Sequence, residues 1–372
     1  MEMERPNTGA NIQQGMAIYR KPKATLPEFR VGRWTDAPDF TDCVADTFCL
    51  HPFSPNNSLE LLLSTDGGDG WDRCSTIWHQ HAIALSDAYP PTSTSETVFK
   101  TEVRAIQKAI ADGDLQKAVA ARSLTVSQSL SADRIWQGFE SLHQAYPEAF
   151  VFLIIHPQWG CWMGASPETL LHCDHGEAKV MSLAGTLTQS QDGWTEKEAL
   201  EQSVTSKYIA EVLAAQGIID AKETQVGEVQ MGHIKHLMSE WHFHLSQVQK
   251  LINGDLSSAP GLGAGVWSMI QQLHPTPAVG GYPKEAALKW LAEYEDLDRQ
   301  LYTGFVGLMG QGSAALYVTL RCAQLFQRGY VLYAGCGVNA GSDPEVELQE
   351  TSAKMQVLGQ YLQDRVIAPS RD

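Results

Sequence analysis

The chain has 372 residues, 43% of them hydrophobic, enough to bury a large core in one or two domains. Its formal net charge of −16 argues against non-specific nucleic-acid binding and against docking on an anionic membrane surface. An acidic substrate stays open, provided that a metal or local basic groups reverse the field. The start, MEMERPNTGANIQQG, has no apolar core of the kind a signal peptide needs, and no apolar run approaches the length of a membrane span. Cys43, Cys49, Cys74, Cys161, Cys173, Cys322 and Cys336 are scattered without CxxC spacing, which suits a reducing cytoplasm rather than a disulfide framework or a structural zinc.

Residues 1 to about 90 carry short apolar runs, LELLLS at 59–64 and IWHQHAIAL at 77–85, among Pro, Gly and Asp clusters. These runs read as strands with long connections. PPTSTSET at 90–97 is turn-rich and is the best candidate for an internal boundary. Val103, Ile106 and Ile110 then form a helical stripe that stops at Gly113. LQKAVAARSLTVSQ reads as a strand, and VFLIIHP with CWMGA as two strands around a Pro/Gly turn. Thr195 and Glu198 form a capping box that opens a helix with Leu200, Val204, Tyr208 and Val212 on one face. QVGEVQMGHIKHLMSEWHFHL alternates like a strand, and KEAALKWLAEYE is helical. FVGLMG, ALYVTLRCAQLF and YVLYAGCGV are three successive strands, suggesting an antiparallel meander. Asp343 and Pro344 open a last helix with Leu348, Thr351, Met355, Leu358 and Leu362 as its stripe. Strands in runs between helices, without regular βαβ alternation, argue for an α+β fold.

Chemistry concentrates in carboxylates and a few lysines. Glu347, Glu350 and Lys354 stand at i, i+3 and i+7 on one face of the last helix. That is the spacing of a solvated surface, and equally of two carboxylates one turn apart, part of the oxygen-rich shell that Mg²⁺ prefers. Glu201 is a candidate third carboxylate, although with Lys197 it also makes an ordinary i, i+4 surface pair. Glu168 follows a strand and a turn proline, and Lys117 sits at a strand start.

Nine segments in order, between about residues 95 and 362, resemble the chorismate-utilising enzymes: isochorismate synthases, salicylate synthases, and the large subunits of anthranilate and aminodeoxychorismate synthases. They are GDLQKAVAAR (113–122), GASPETLL (164–171), SLAGT (182–186), EKEALEQ (196–202), HL (236–237), HPTPAVGGYPKEAAL (274–288), YTGFVG (302–307), VTLRCA (318–323) and AGCGVNAGSDPEVELQET (334–351). Lys117, where the amine-transferring relatives carry glutamine, and HPTPA point to the isochorismate branch. The resemblance implies one chorismate-binding domain over residues 1–372, with 1–90 matching loosely. It implies a large layered, mainly antiparallel sheet core with outer helices and a central cleft.

The same resemblance implies site roles. Lys117 would be the general base that activates water for attack at C2 of chorismate, and Glu168 the general acid for the leaving C4 hydroxyl. Glu201, Glu347 and Glu350 would hold Mg²⁺. Ala184, Gly185, Thr186, His236, Tyr302, Arg321, Gly335, Gly337 and Lys354 would contact substrate, Arg321 as partner of the enolpyruvyl carboxylate. Implied are chorismate as the small-molecule partner, no organic cofactor, and no obligate protein, nucleic-acid or membrane partner. The product would feed menaquinone synthesis, with a siderophore or salicylate route as rival. A salicylate synthase, or an idle chorismate-binding relative, would be the alternatives. Three departures stand out: Gln202 where the family often has His, no arginine after SLAGT, and a small AVAAR strand beside Lys117.

Three local patterns point elsewhere and are set aside. Gly335-x-Gly337-x-x-Ala340 mimics a dinucleotide fingerprint, yet the chain beyond it has room for one helix only. His233, His236, His242 and His244 lack the local spacing of a zinc site. GASPE is not a nucleophile elbow, because a proline and a glutamate follow the serine.

Overall fold

The computed structural model describes residues 15–37, 47–54, 57–82, 85–188, 193–245, 264–310 and 312–363. The first part holds β1 (Gly15–Arg20), β2 (Glu28–Ala37), β3 (Thr47–His51), β4 (Leu59–Asp69), α1 (Trp71–His81) and α2 (Glu96–Ala111). There follow β5 (Lys117–Val126), α3 (Ala132–Ala145), β6 (Phe150–His156), β7 (Gly160–Ser166), β8 (Thr169–Asp174), β9 (Glu177–Leu187) and α4 (Glu196–Ala215). Next come β10 (Lys222–Glu223), β11 (Gly227–Met231), β12 (Ile234–His244), α5 (Ala264–Leu273), β13 (Gly281–Tyr282) and α6 (Lys284–Tyr294). The chain closes with β14 (Phe305–Gly310), β15 (Ser313–Val318), β16 (Cys322–Phe326), β17 (Gly329–Val338) and α7 (Pro344–Leu362).

Every strand pairing among the described residues is antiparallel. The hydrogen-bonded order is β13–β5–β17–β16–β7–β6–β1–β2–β4–β3–β14–β15–β8–β9–β12, with β11 and β10 along the far edge of β12. This open ribbon folds back on itself. Its two halves meet through Tyr19, Phe48, Phe150, Phe152, Trp162 and Tyr317, with Phe150 stacked on Tyr317 at 4.4 Å between centroids. Helices α1, α3 and α7 cover one half, and α4 and α5 the other. The result is helix, sheet, sheet, helix, held by apolar burial on both faces of each sheet. No helix among the described residues is long and apolar enough to cross a membrane.

The chain passes between the halves at two adjacent places. β7 in one half leads to β8 in the other through Pro167 and Glu168, while β15 leads back to β16 through Thr319, Leu320 and Arg321. Proline cannot continue the ladder, because it has no N–H. The two interruptions stitch each other. Val318 N–H donates to Glu168 O (3.0 Å), Ala165 N–H to Arg321 O (3.2 Å), and the Ser166 hydroxyl to Val318 O (2.5 Å). Arg321 takes a positive φ of 47°, a conformation that non-glycine residues rarely adopt.

Four expectations change. IWHQHAIAL does not form a strand; its described start lies in α1, where Cys74 and Trp78, one helical turn apart, are buried. PPTSTSET separates nothing, since Ser93 and Thr94 hydrogen-bond to β5 and Ser95 caps α2. The three-strand meander is two hairpins, β14–β15 and β16–β17, because ALYVTLRCAQLF breaks at Arg321. The capping box of α4 is present, but Leu200 is half exposed; the buried face of α4 instead carries Glu198, Glu201, Gln202 and Thr205 before Tyr208 and Val212.

Beneath the site, Arg299 is buried against Glu295 (2.7 Å) and donates to Val279 O and Val119 O, both at 2.7 Å. Removing it strands a buried carboxylate. Arg299→Met should cost ~3–5 kcal/mol in urea unfolding, and Glu295→Gln in the same chain should recover a large part of that loss. A double variant as unstable as the sum of the singles would contradict this coupling.

Candidate active site

A cavity of about 60 Å³ opens where the two crossings meet β5, β9, β17 and α4. β5 and β17 supply one wall. Their alternation sends Lys117 and Val119, with Gly335 and Gly337 opposite, toward the cavity. Ala118, Ala120, Cys336 and Val338 point the other way, onto Phe99, Val103 and Ile106 of α2. The small AVAAR residues thus let α2 lie close behind the strand. Gly337 lies close beneath two side chains: a Cβ there would lie 2.4 Å from Glu201 Oε2 and 2.8 Å from Lys117 Cε, so it would push them aside.

Lys117 and Glu168 face this one cavity and are each 2% exposed. Burial pulls the Lys117 amine below the usual lysine range; Lys197 and Lys354 add to the pull, and Glu201, at 3.8 Å, opposes it. Burial pushes the Glu168 carboxyl up to about 8, although Lys117, Lys354 and Arg321 pull it down. Glu168 Oε1 has no hydrogen-bond partner among the described residues. An amine inclined to be neutral and a carboxyl inclined to be protonated are the pair that proton transfer requires.

The opposite wall is built for an anion. β9 and β12 are out of register between His236 and Leu237, and Gly185, at φ +74°, is the extra residue of the bulge. The bulge turns Gly185 O toward His236 Nδ1 (3.0 Å), while Arg321 Nη2 lies 2.6 Å from His236 Nε2. A guanidinium only donates, so Nε2 accepts and Nδ1 carries the proton. Burial, with Arg321 and Lys354 nearby, lowers His236 to about 3, consistent with a neutral ring. Burial pulls Arg321 down to about 10, which leaves it cationic at neutral pH, and its buried Nη1 is without a hydrogen-bond partner among the described residues. Gln202, the residue that departs from the family pattern, is fully engaged. It accepts from Ala184 N–H (3.1 Å) and donates to Ser182 O, Ser182 Oγ and Ser239 Oγ, pinning SLAGT. Ala184, Thr186 and Tyr302 also line the cavity, and Lys354 bridges Gly335 O (2.8 Å) and Glu350 (2.6 Å).

Glu201, Glu347 and Glu350 are all buried and converge from α4 and α7. Their common neighbour is the Lys197 ammonium, 2.9 Å from Glu347 Oε1, 3.1 Å from Glu201 Oε1 and 4.0 Å from Glu350 Oε2. Burial and repulsion from Glu350 push Glu347 up to about 7. Burial also opposes ionisation of Glu350, but Lys354 and Lys197 outweigh it and hold that carboxylate at about 2. Glu201 Oε1 and both Glu347 carboxylate oxygens lack a hydrogen-bond partner among the described residues. Among those residues, no group of three or more His, Cys, Asp or Glu stands ready to hold a metal ion. The donor chemistry fits a hard divalent cation, and the orphaned oxygens are the ones such an ion would take, but a lysine stands between them. The spacing of Lys197 and Glu201 gave no sign that their pair is buried.

The other proposed clusters do not converge. His233 bonds Ala353 O and His242 pairs with half-exposed surroundings at Glu240. Cys74, Cys161, Cys173, Cys322 and Cys336 are free and buried, and Cys43 lies outside the described residues.

The chain matches the family described as chorismate binding enzyme over residues 76–363, and it belongs to that family. It is 32% identical over 269 residues to the salicylate biosynthesis isochorismate synthase of Pseudomonas aeruginosa, covering 71% of this chain and 54% of that protein. It is 33% identical over 259 residues to isochorismate synthase DhbC of Bacillus subtilis, covering 67% of this chain and 63% of that one. The matches thus span between 54% and 63% of the length of these curated relatives. The fold is shared with MenF, the menaquinone-specific isochorismate synthase from Escherichia coli, at a TM-score of 0.72 and 19% identity over 94% of this chain and 89% of that chain.

The tight seat of Gly337 gives a direct check on this geometry. Gly337→Ala should displace Lys117 and Glu201 and, in the reaction proposed below, lower kcat/KM by ~10²-fold, with the unfolding midpoint nearly unchanged. Undiminished activity would mean that the two side chains do not lie where described.

Proposed function

We propose that the chain is an isochorismate synthase that converts chorismate to isochorismate with Mg²⁺ bound. The observation that carries this reading is the Lys117–Glu168 pair: a buried amine held below its usual range and a buried carboxyl held up at about 8, facing one cavity. Neutral Lys117 takes a proton from water as that water attacks C2 of the ring. The ring double bond shifts, and Glu168 gives its proton to the C4 hydroxyl, which leaves as water. Oxygen and protons balance, so the net change is an isomerisation. Arg321, fixed by His236 and carrying an unpartnered Nη1, pairs with a substrate carboxylate in the geometry a guanidinium suits. Tyr302 and the Gly335 backbone close the same side.

Glu201, Glu347 and Glu350 are the residues that would hold the metal. When bound, Mg²⁺ would anchor a second substrate carboxylate and offset the charge of an acidic protein meeting a dianion. The relatives it resembles at 32% and 33% identity are named isochorismate synthases, which supports this reading.

The test is product analysis of purified chain with chorismate and Mg²⁺, with and without EDTA, across pH. Isochorismate should form only with the metal. Its kcat/KM should rise with pH as Lys117 loses its proton, then fall above about 8 as Glu168 loses the proton it must donate. Release of salicylate and pyruvate would move the chain to the neighbouring salicylate-forming activity. No conversion of chorismate would overturn the reading.

A further inference from the structure

Three buried carboxylates from two helices repel one another unless a cation stands among them. In this chain Lys197 is the cation that reaches all three, while Lys354 also pairs with Glu350 at 2.6 Å and Lys117 lies 3.8 Å from Glu201. The Lys197 ammonium contacts Glu347 at 2.9 Å, Glu201 at 3.1 Å, Glu198 at 3.9 Å and Glu350 at 4.0 Å, and its side chain is 14% exposed. Two features make this an awkward resting place for a lysine. It sits in the first turn of α4, just after the Thr195 cap, where the helix dipole disfavours positive charge. Its approach also leaves Glu201 Oε1 without a hydrogen bond of proper geometry. The charge is matched while the directional bonding is not.

We propose that Lys197 is a resident counter-cation of this site: it neutralises Glu201, Glu347 and Glu350 while no metal is bound, and a divalent cation must displace it to enter. This inference rests on the metal reading given under the proposed function. The lysine and the metal compete for the same oxygens. The measured metal affinity is therefore the intrinsic affinity of the carboxylates reduced by the cost of moving Lys197 out. In return, the lysine keeps the metal-free chain folded by preventing an uncompensated cluster of buried charge. The site is thereby tuned to bind metal weakly, and to stay assembled without it.

Calorimetric titration with Mg²⁺ of the full chain, Lys197→Met and Glu347→Gln tests this. Lys197→Met should bind Mg²⁺ tighter by on the order of tenfold, since the competitor is gone. Its metal-free form should melt below the unaltered chain, and Mg²⁺ should raise its melting point by more. Unchanged or weaker Mg²⁺ binding in Lys197→Met, with binding still lost in Glu347→Gln, would overturn the counter-cation role and leave the metal site standing. Binding indifferent to Glu347→Gln would instead remove the metal site itself. Should Lys197→Met fail to fold, amine acylation of the unaltered chain read by mass spectrometry supplies the answer. Lys197 should be protected without Mg²⁺ and modified with it. Protection unaffected by saturating Mg²⁺ would overturn the proposal.

Discussion

The structure turns on the paired interruption of two neighbouring strands. β7–β8 and β15–β16 each carry the chain from one half of the ribbon to the other, and they break side by side. Without the breaks, Glu168 and Arg321 would be two more alternating residues of a continuous ladder. With them, Pro167 opens one strand, Arg321 takes a strained φ in the other, and backbone groups 165, 318 and 321 hydrogen-bond across the gap. The strain at Arg321 is held by packing on all sides: Cys322 and Tyr317 lie in the core between the sheets, and His236 holds its guanidinium. A rigid framework thus delivers the Glu168 carboxyl and the Arg321 guanidinium to one cavity.

Around that cavity the charges are grouped by function. Lys117, Lys197, Lys354 and Arg321 oppose Glu168, Glu201, Glu347 and Glu350, all in low-dielectric surroundings. Position decides which member of each set stays charged. Glu350 is pinned down by Lys354 and Lys197, Glu347 is pushed up, and Glu168 is pushed up by burial. Burial lowers Lys117, with Lys197 and Lys354 adding to the shift against Glu201. A chain with net charge −16 can therefore present a locally basic wall to a dicarboxylate, through Arg321 and Lys354.

Much of this was legible in the sequence because it is local or ordered. The capping box at Thr195 and Glu198, the α7 stripe and the alternation of β5 follow from period and cap chemistry. Lys117, Glu168 and Arg321 were picked out only by the order of short segments, and the structure brings them to one cavity. Three things were hidden. VTLRCA reads as unbroken strand, because a positive φ at an arginine has no composition signature. The shielding of Lys197 depends on Glu347 and Glu350 of α7 reaching its ammonium, so an i, i+4 pair gave no hint of it. The face of α4 was misjudged because a site that needs carboxylates inside reverses the usual rule that apolar residues choose the buried side.

In the proposed reaction water activated at Lys117 becomes the new C2 hydroxyl while the C4 oxygen departs. Conversion of unlabelled chorismate in ¹⁸O-enriched water, with mass spectrometry of the product, tests it directly. The account predicts isochorismate carrying one solvent oxygen on the ring, at C2. Isochorismate with no solvent oxygen would contradict it, because the original hydroxyl would then have migrated without leaving.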